Sequence, residues 1–329
     1  MVKMPLRERR TRSAIALTAR VAQGAGMKSQ ERSGLLFALA GFATLSFGDV
    51  VVKTMVGQWS PVAIAATRYV IGAIGLAGLL RVREGAAAFR MPHPKVQLVR
   101  GAAVGMATLG FFSAIFFMPL AAATAVTFTS PMITALLAAL LLGEPARRQT
   151  WIASVIAFTG VLIVLRPNFM AAGWAALLPL LSALGMSLLM IGNRFVAGKG
   201  SALAMQFYVG LFAAPLLLIA AVAFHYSGIP QYALFWPEST VLARCALVAC
   251  SASCAHWLIY MGTVRAGAAT IAPMTYVQLL VASLAGWLVF DDHPDAWTLL
   301  GAGIIVMAGL YLWRSGRDPG RQSAEGNPA

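Results

Sequence analysis

Carboxylates are scarce in this chain. Eleven Asp and Glu stand against twenty-five Lys and Arg, and charged residues of both signs fill only 11% of the 329 positions. Soluble domains carry about 25% charged residues, so a water-facing globular surface is excluded. The three cysteines, Cys245, Cys250 and Cys254, fall in one apolar run without ligand-like spacing. That excludes a disulfide frame and a cysteine metal site. Four scattered histidines exclude a His-based cluster. No GxxxxGK[ST] stretch occurs, so ATP drive within the chain has no support. No cofactor and no resident metal are expected.

Apolar residues are abundant: 59% hydrophobic positions and a mean hydropathy of +0.77. The net charge of +14 would suggest nucleic acid in a soluble protein, but in a bilayer the placement of charges matters more than their sum. Roughly 20 apolar residues cross a membrane. Ten runs qualify, at 34–56, 61–80, 96–118, 121–142, 151–165, 173–193, 202–224, 241–261, 267–290 and 297–313. The expected fold is an all-α integral membrane protein in contact with lipid, and no nucleic-acid partner is expected.

The basic residues test that count. With ten crossings and a cytoplasmic N-terminus, alternate loops and their edges hold 21 of the 25 Lys and Arg, leaving only Lys53, Arg68, Arg166 and Arg244. A missed or invented helix would scramble this bias, so both termini are expected in the cytoplasm. Residues 1–33 form a basic arm, expected to be disordered, whose apolar stretch "AIALTA" is too short for a signal peptide. Met27, just before "KSQERSGLLFAL", is an alternative start, and residues 314–329 form a cytoplasmic tail.

The two halves resemble each other. "ATAVTFTSPMITALLAALLLGE" begins at Ala123 and "ATIAPMTYVQLLVASLAGWLVFDD" at Ala269; each has an early proline and closes on an acid. Each precedes a glycine-bearing apolar segment. The repeat unit is five helices, 34–167 and 168–313, and five is odd, so the second copy is inverted. Inverted repeats are a device of secondary transporters, with the substrate site between the halves.

The motif "DDHPD", Asp291 to Asp295, raises a competing possibility: DDxxD can grip Mg²⁺ and a diphosphate, as in membrane prenyl-diphosphate enzymes. Such chemistry needs a second acidic cluster, and the sequence offers none. The motif also falls on the non-cytoplasmic side, at the place Gly143 and Glu144 hold in the first half. Acids at a helix end before a proline turn are ordinary loop chemistry, so the chain is not expected to be an enzyme.

The stretches "MPLAAATAVTFTSPMITALLAALLLGEPARRQTWIASVIAFTGVLIVLRP" and "APMTYVQLLVASLAGWLVFDDHPDAWTLLGAGIIVMAGLYLW" each resemble an EamA-type domain. Two in tandem identify the chain as similar to the drug/metabolite transporter superfamily. The resemblance implies a ten-helix carrier of the bacterial inner membrane, a monomer or homodimer, moving a small organic metabolite by alternating access. Within the superfamily it looks nearest to importers of S-adenosylmethionine or riboflavin. Family members also export amino acids, drugs and other metabolites, so substrate and direction stay open.

Charges within the spans mark candidate function, because each costs on the order of 3 kcal/mol or more. Asp49 stands four residues before Lys53, so the two share a face and can pair, with Arg68 of the second helix near them. This cluster is either an ion-paired clip between helices 1 and 2 or a site for a charged substrate group or a proton. His256 is a second candidate, either a proton relay or a packing imidazole. "TFTSPM" and "APMTYVQ" are repeat-related, polar, and broken by Pro131 and Pro273, and freed carbonyls are tolerated where they line a cavity. Thr127, Ser130, Thr275, Tyr276 and Gln278 are the expected cavity donors. Trp257 and Tyr260 are expected to stack on a planar ligand.

Overall fold

The computed structural model describes residues 32–141, 148–196, 198–266 and 272–316, and among them only helices and connecting turns occur. They are α1 (Arg32–Lys53), α2 (Pro61–Glu84), α3 (Pro94–Phe117), α4 (Leu120–Thr127), α5 (Ser130–Leu141), α6 (Arg148–Ala172), α7 (Leu178–Phe195), α8 (Ala202–His225), α9 (Ser239–Ala266), α10 (Val277–Phe290) and α11 (Ala296–Gly316). Short 3₁₀ turns precede α7 (Gly173–Leu177) and α10 (Ala272–Tyr276). Among the described residues seven helical spans are long and apolar enough to cross a membrane, and three shorter apolar helices accompany them. Together they are the ten runs expected from hydropathy.

Local chemistry explains the boundaries. Pro61 and Pro94 open α2 and α3, where a missing N–H costs nothing. Gly85, at φ 78°, ends α2 in a conformation that side chains resist. The Asp295 carboxylate accepts the Thr298 backbone N–H at 2.9 Å, capping α11. The fourth run, expected as one helix, is two. Pro131 has no N–H and its ring clashes with the carbonyl four residues earlier, which belongs to Thr127, and α4 ends there.

Packing follows the five-helix repeat. Counting α4–α5 as one segment, α1 pairs with α9 as α7 pairs with α3, while α2 packs on α8, α4 on α10 and α6 on α11. Exchanging each segment with the one five places on leaves this pattern unchanged. The glycines give the direction of each pair. A Cβ at Gly48 would face Ser251, one at Gly41 would face Ile259, and one at Gly262 would meet Gly34 and Ala38, so α1 and α9 run antiparallel. Gly110 faces Leu178 and Ser182 while Gly192 faces Arg100, so α3 and α7 do too. In lipid, helices associate through such close backbone approach rather than through a hydrophobic drive.

Candidate functional site

The two interrupted segments meet at the centre. Phe128, at the break between α4 and α5, lies edge-to-face with Tyr276, the last residue of the turn before α10, at 5.5 Å between ring centres. Hydroxyls cross between the halves here: Ser46 of α1 donates to the Gln278 carbonyl at 3.2 Å, and the Ser187 hydroxyl of α7 is shared between the Ser130 carbonyl at 2.9 Å and the Ala183 carbonyl of its own helix at 2.8 Å. The repeat relates these bonds to one another, since 141 residues separate Ser46 from Ser187 and 148 separate Ser130 from Gln278. Thr127 and Thr129 cap the carbonyls of Ala123 and Val126 within their own chain turn.

Of the expected cavity residues, Thr127, Ser130, Thr275, Tyr276 and Gln278 come together at this junction, all half-buried. The Tyr276 hydroxyl occupies the space that a Cβ on Gly309 would take, which fixes the ring against α11. Trp257 is placed differently. It shares an exposed stripe of α9 with Leu247, Cys250 and Cys254, and Tyr260 is exposed beside it. His256 is exposed as well, on the stripe that continues from Cys245 and Ala249, of which Ala249 faces Gly72 of α2.

The charged cluster is rearranged. Lys53 pairs with Asp292 rather than Asp49, so the expected clip between helices 1 and 2 is instead a clasp between the end of α1 and the turn after α10. Its ammonium also lies 5.1 Å from the Phe290 ring centre. Helical spacing correctly places Asp49 and Lys53 on one face, but α10 presents its own acid to that face. Asp291 sits in the left-handed region at φ 54° and contacts His293 at 3.2 Å, both side chains exposed. With Asp295 acting as a helix cap, the three acids of DDxxD serve three separate structural roles.

Arg68 is held differently from the other basic residues outside the biased loops. Arg244 donates to the Thr54 carbonyl at 3.1 Å and to Gln58, and Arg166 stacks at 5.5 Å over Trp297. Arg68 rests on the rings of Tyr69 and Phe112, at 4.5 and 5.1 Å, with no hydrogen-bond acceptor among the described residues.

Two features lay outside the sequence reading. The paired serines were indistinguishable there from ordinary helix glue, although their spacing of 141, shared by Lys53 and Arg194, was a usable signal. Arg100, counted as a loop-edge charge, is buried, donating to the Asn193 side-chain oxygen at 2.8 Å and to Gln97. If the serine bonds tie the two halves together at this junction, Ser46→Ala with Ser187→Ala should slow transport at least about tenfold, more than the sum of the single changes, with little loss of melting temperature. Additive, mild effects on flux would reduce the serines to packing.

The EamA-like transporter family matches residues 32–166. An S-adenosylmethionine uptake transporter of Rickettsia prowazekii is 27% identical over 280 residues, covering 85% of this chain and 92% of that protein. A riboflavin transporter of Rhizobium johnstonii is 29% identical, covering 71% of this chain and 74% of its own length. A pseudopaline exporter of Pseudomonas aeruginosa is 27% identical over 86% of this chain and 97% of that one. A crystal structure with 17% identity superposes with a TM-score of 0.56 over 89% of this chain and 99% of the other, a likeness of fold.

Proposed function

We propose that this chain, an EamA-type member of the drug/metabolite transporter superfamily, is a secondary carrier for a metabolite of the S-adenosylmethionine, riboflavin or amino-acid kind. It works by alternating access in a bacterial inner membrane, with residues 34–167 and 168–313 as the inverted halves and both termini cytoplasmic. The observation that carries this reading is the meeting of the two repeat-related segments at Phe128 and Tyr276, each joined to a serine hydroxyl of the opposite half. A site built from both repeats near mid-membrane is where a rocking carrier must hold its cargo. Thr127, Ser130, Thr275, Tyr276 and Gln278 line the cargo side, while Asp49, Arg68 and His256 supply charge for the substrate or for a coupled proton.

The relatives' names support transport in both directions, since two are named for uptake or transport and one for export. Flux into proteoliposomes, with S-adenosylmethionine, riboflavin and several amino acids and with or without a pH gradient, tests the reading. Saturable movement of one compound is the expected outcome, and Tyr276→Ala or Gln278→Ala should weaken its apparent affinity more than it lowers the melting temperature. Silence across the panel from folded protein would reject these substrate classes.

A further inference from the structure

We propose that Met205 is a reversible oxidation site: a peroxide converts its thioether to the sulfoxide, and the new oxygen is gripped by donors from the opposite half. The oxidation itself involves no cargo, and only its effect on flux rests on the carrier reading.

The geometry is built around the sulfur. Met205 lies in the first turn of α8, half-buried, on the face of the bundle where α2 ends and α3 and α8 begin. Its terminal methyl packs on the preceding turn, where a Cβ at Gly200 would stand only 2.7 Å from it. Two N–H donors of α3 point at the sulfur, Gln97 Nε2 at 3.3 Å and Arg100 Nη1 at 3.7 Å. Both donors are held in place. Gln97 Nε2 also donates to the Pro92 carbonyl at 3.2 Å, Arg100 Nη1 donates to Gln97 Oε1, and Arg100 Nε donates to the Asn193 side-chain oxygen at 2.8 Å. The acceptor is held as well. Ser201 donates to Glu84 at 2.7 Å and Tyr208 to the Ala88 carbonyl at 2.6 Å, which ties the start of α8 to the end of α2 and the turn after it. Gln97 and Arg100 are buried while Met205 is partly exposed, so a small peroxide can reach this residue.

A thioether sulfur is a weak acceptor, and two donors, one of them a guanidinium, are more than it can use. A sulfoxide oxygen accepts strongly, and a charge-assisted bond is about twice as strong as a neutral one. The step is a two-electron oxidation. A sulfur lone pair attacks one peroxide oxygen, the S–O bond forms as the O–O bond breaks, and the peroxide is reduced to water, which carries away both its protons. Methionine sulfoxide reductases, one for each sulfoxide epimer, restore the thioether. Oxidation thus replaces two weak contacts between α3 of the first half and α8 of the second with two strong ones, beside the bond from Arg100 to Asn193. The repeat holds no second copy: 141 positions on from Gln97 and Arg100 stand Glu238 and Val241, and 141 before Met205 stands Ile64. The sulfoxide therefore ties the halves together at one face only, and a carrier that rocks between two faces is slowed by it.

The test exposes the full chain, in detergent and in proteoliposomes, to graded hydrogen peroxide and follows each methionine by peptide mass spectrometry. Exposure alone favours Met190 and Met307, whose surfaces are 51% and 65% open. Met205 should instead be oxidised at least about threefold faster than either. At the dose that converts Met205 alone, the protein should melt at a higher temperature and flux should fall about threefold or more, and the reductases should reverse both changes. Met205→Leu, close in volume, should fold and lose both responses. Met205 still reduced after Met190 and Met307 have been converted overturns the site. A Met205 sulfoxide that leaves melting and flux unchanged does so too. If folded protein moves no compound before peroxide is added, the carrier reading falls, while the order of oxidation and the melting shift still decide this site.

Discussion

Gly185→Leu should prevent the protein from folding, while Gly303→Leu, an identical chemical change on another glycine-rich helix, should leave it intact. A Cβ at Gly185 would stand 2.6 Å from the Ala103 carbonyl oxygen and 2.7 Å from the Ala107 nitrogen, both backbone atoms of α3. Backbone cannot swing aside as a side chain does, so α3 and α7 must separate along the crossing. That separation forfeits the contacts at Gly110 and Gly192 as well, because all three glycines lie on one interface. Overpacking in a close-packed interior costs about 1–3 kcal/mol and more when backbone must move. In lipid the loss is not recovered by any hydrophobic term between the helices. Gly303 has nothing within 4 Å of its would-be Cβ and is exposed, so a leucine there meets lipid. Size-exclusion profiles and melting curves of the two variants in detergent decide the matter. Equal profiles would show that the α3–α7 crossing tolerates a side chain and that its glycines are not structural.

Breaking the clasp between Lys53 and Asp292 should change transport by about tenfold or more, and exchanging the two residues should restore much of it. The Lys53 side chain is 10% exposed and that of Asp292 27%, so the pair is only partly screened by water. Removing one partner of a buried pair costs about 3–5 kcal/mol, and partial exposure lowers that toward 1–3 kcal/mol. The clasp joins α1 to the turn after α10, bridging the two halves on the side of the membrane where α1 ends. A carrier that must open there has to part these residues in each cycle. Lys53→Ala should therefore favour the state open on that side, read as faster modification of Gln278→Cys by an impermeant maleimide added from it. The exchange of Lys53→Asp with Asp292→Lys should slow that modification again. Unchanged flux and labelling in all three proteins would make the clasp a static surface tie.

Much of this architecture is legible in one dimension. Ten apolar segments, the five-helix repeat and the interruption at Pro131 all follow from solvation and local backbone sterics, which act on each segment separately. Neighbouring positions on one face are legible too, because helical spacing puts Ser46, Asp49 and Lys53 together whatever else the fold does. The spacing cannot say what stands opposite that face. Lys53 meets Asp292, 239 residues away, only because α10 packs beside α1. Trp257 is apolar, aromatic and within a span, properties shared by pocket walls and lipid-facing surfaces alike, and only the packing of α9 on α1 and α2 turned it outward. Asp49 and Arg68 likewise carry their charges in the sequence, but whether those charges neutralise one another or stand apart depends on the distance between two helices. The sequence by itself determined the membrane environment, the number of crossings and the repeat, because those depend on transfer free energy and chain direction. Tertiary structure alone decided which charges pair, which hydroxyls bond across the two halves and which aromatics face inward, because each of those depends on what a neighbouring helix brings to the same depth.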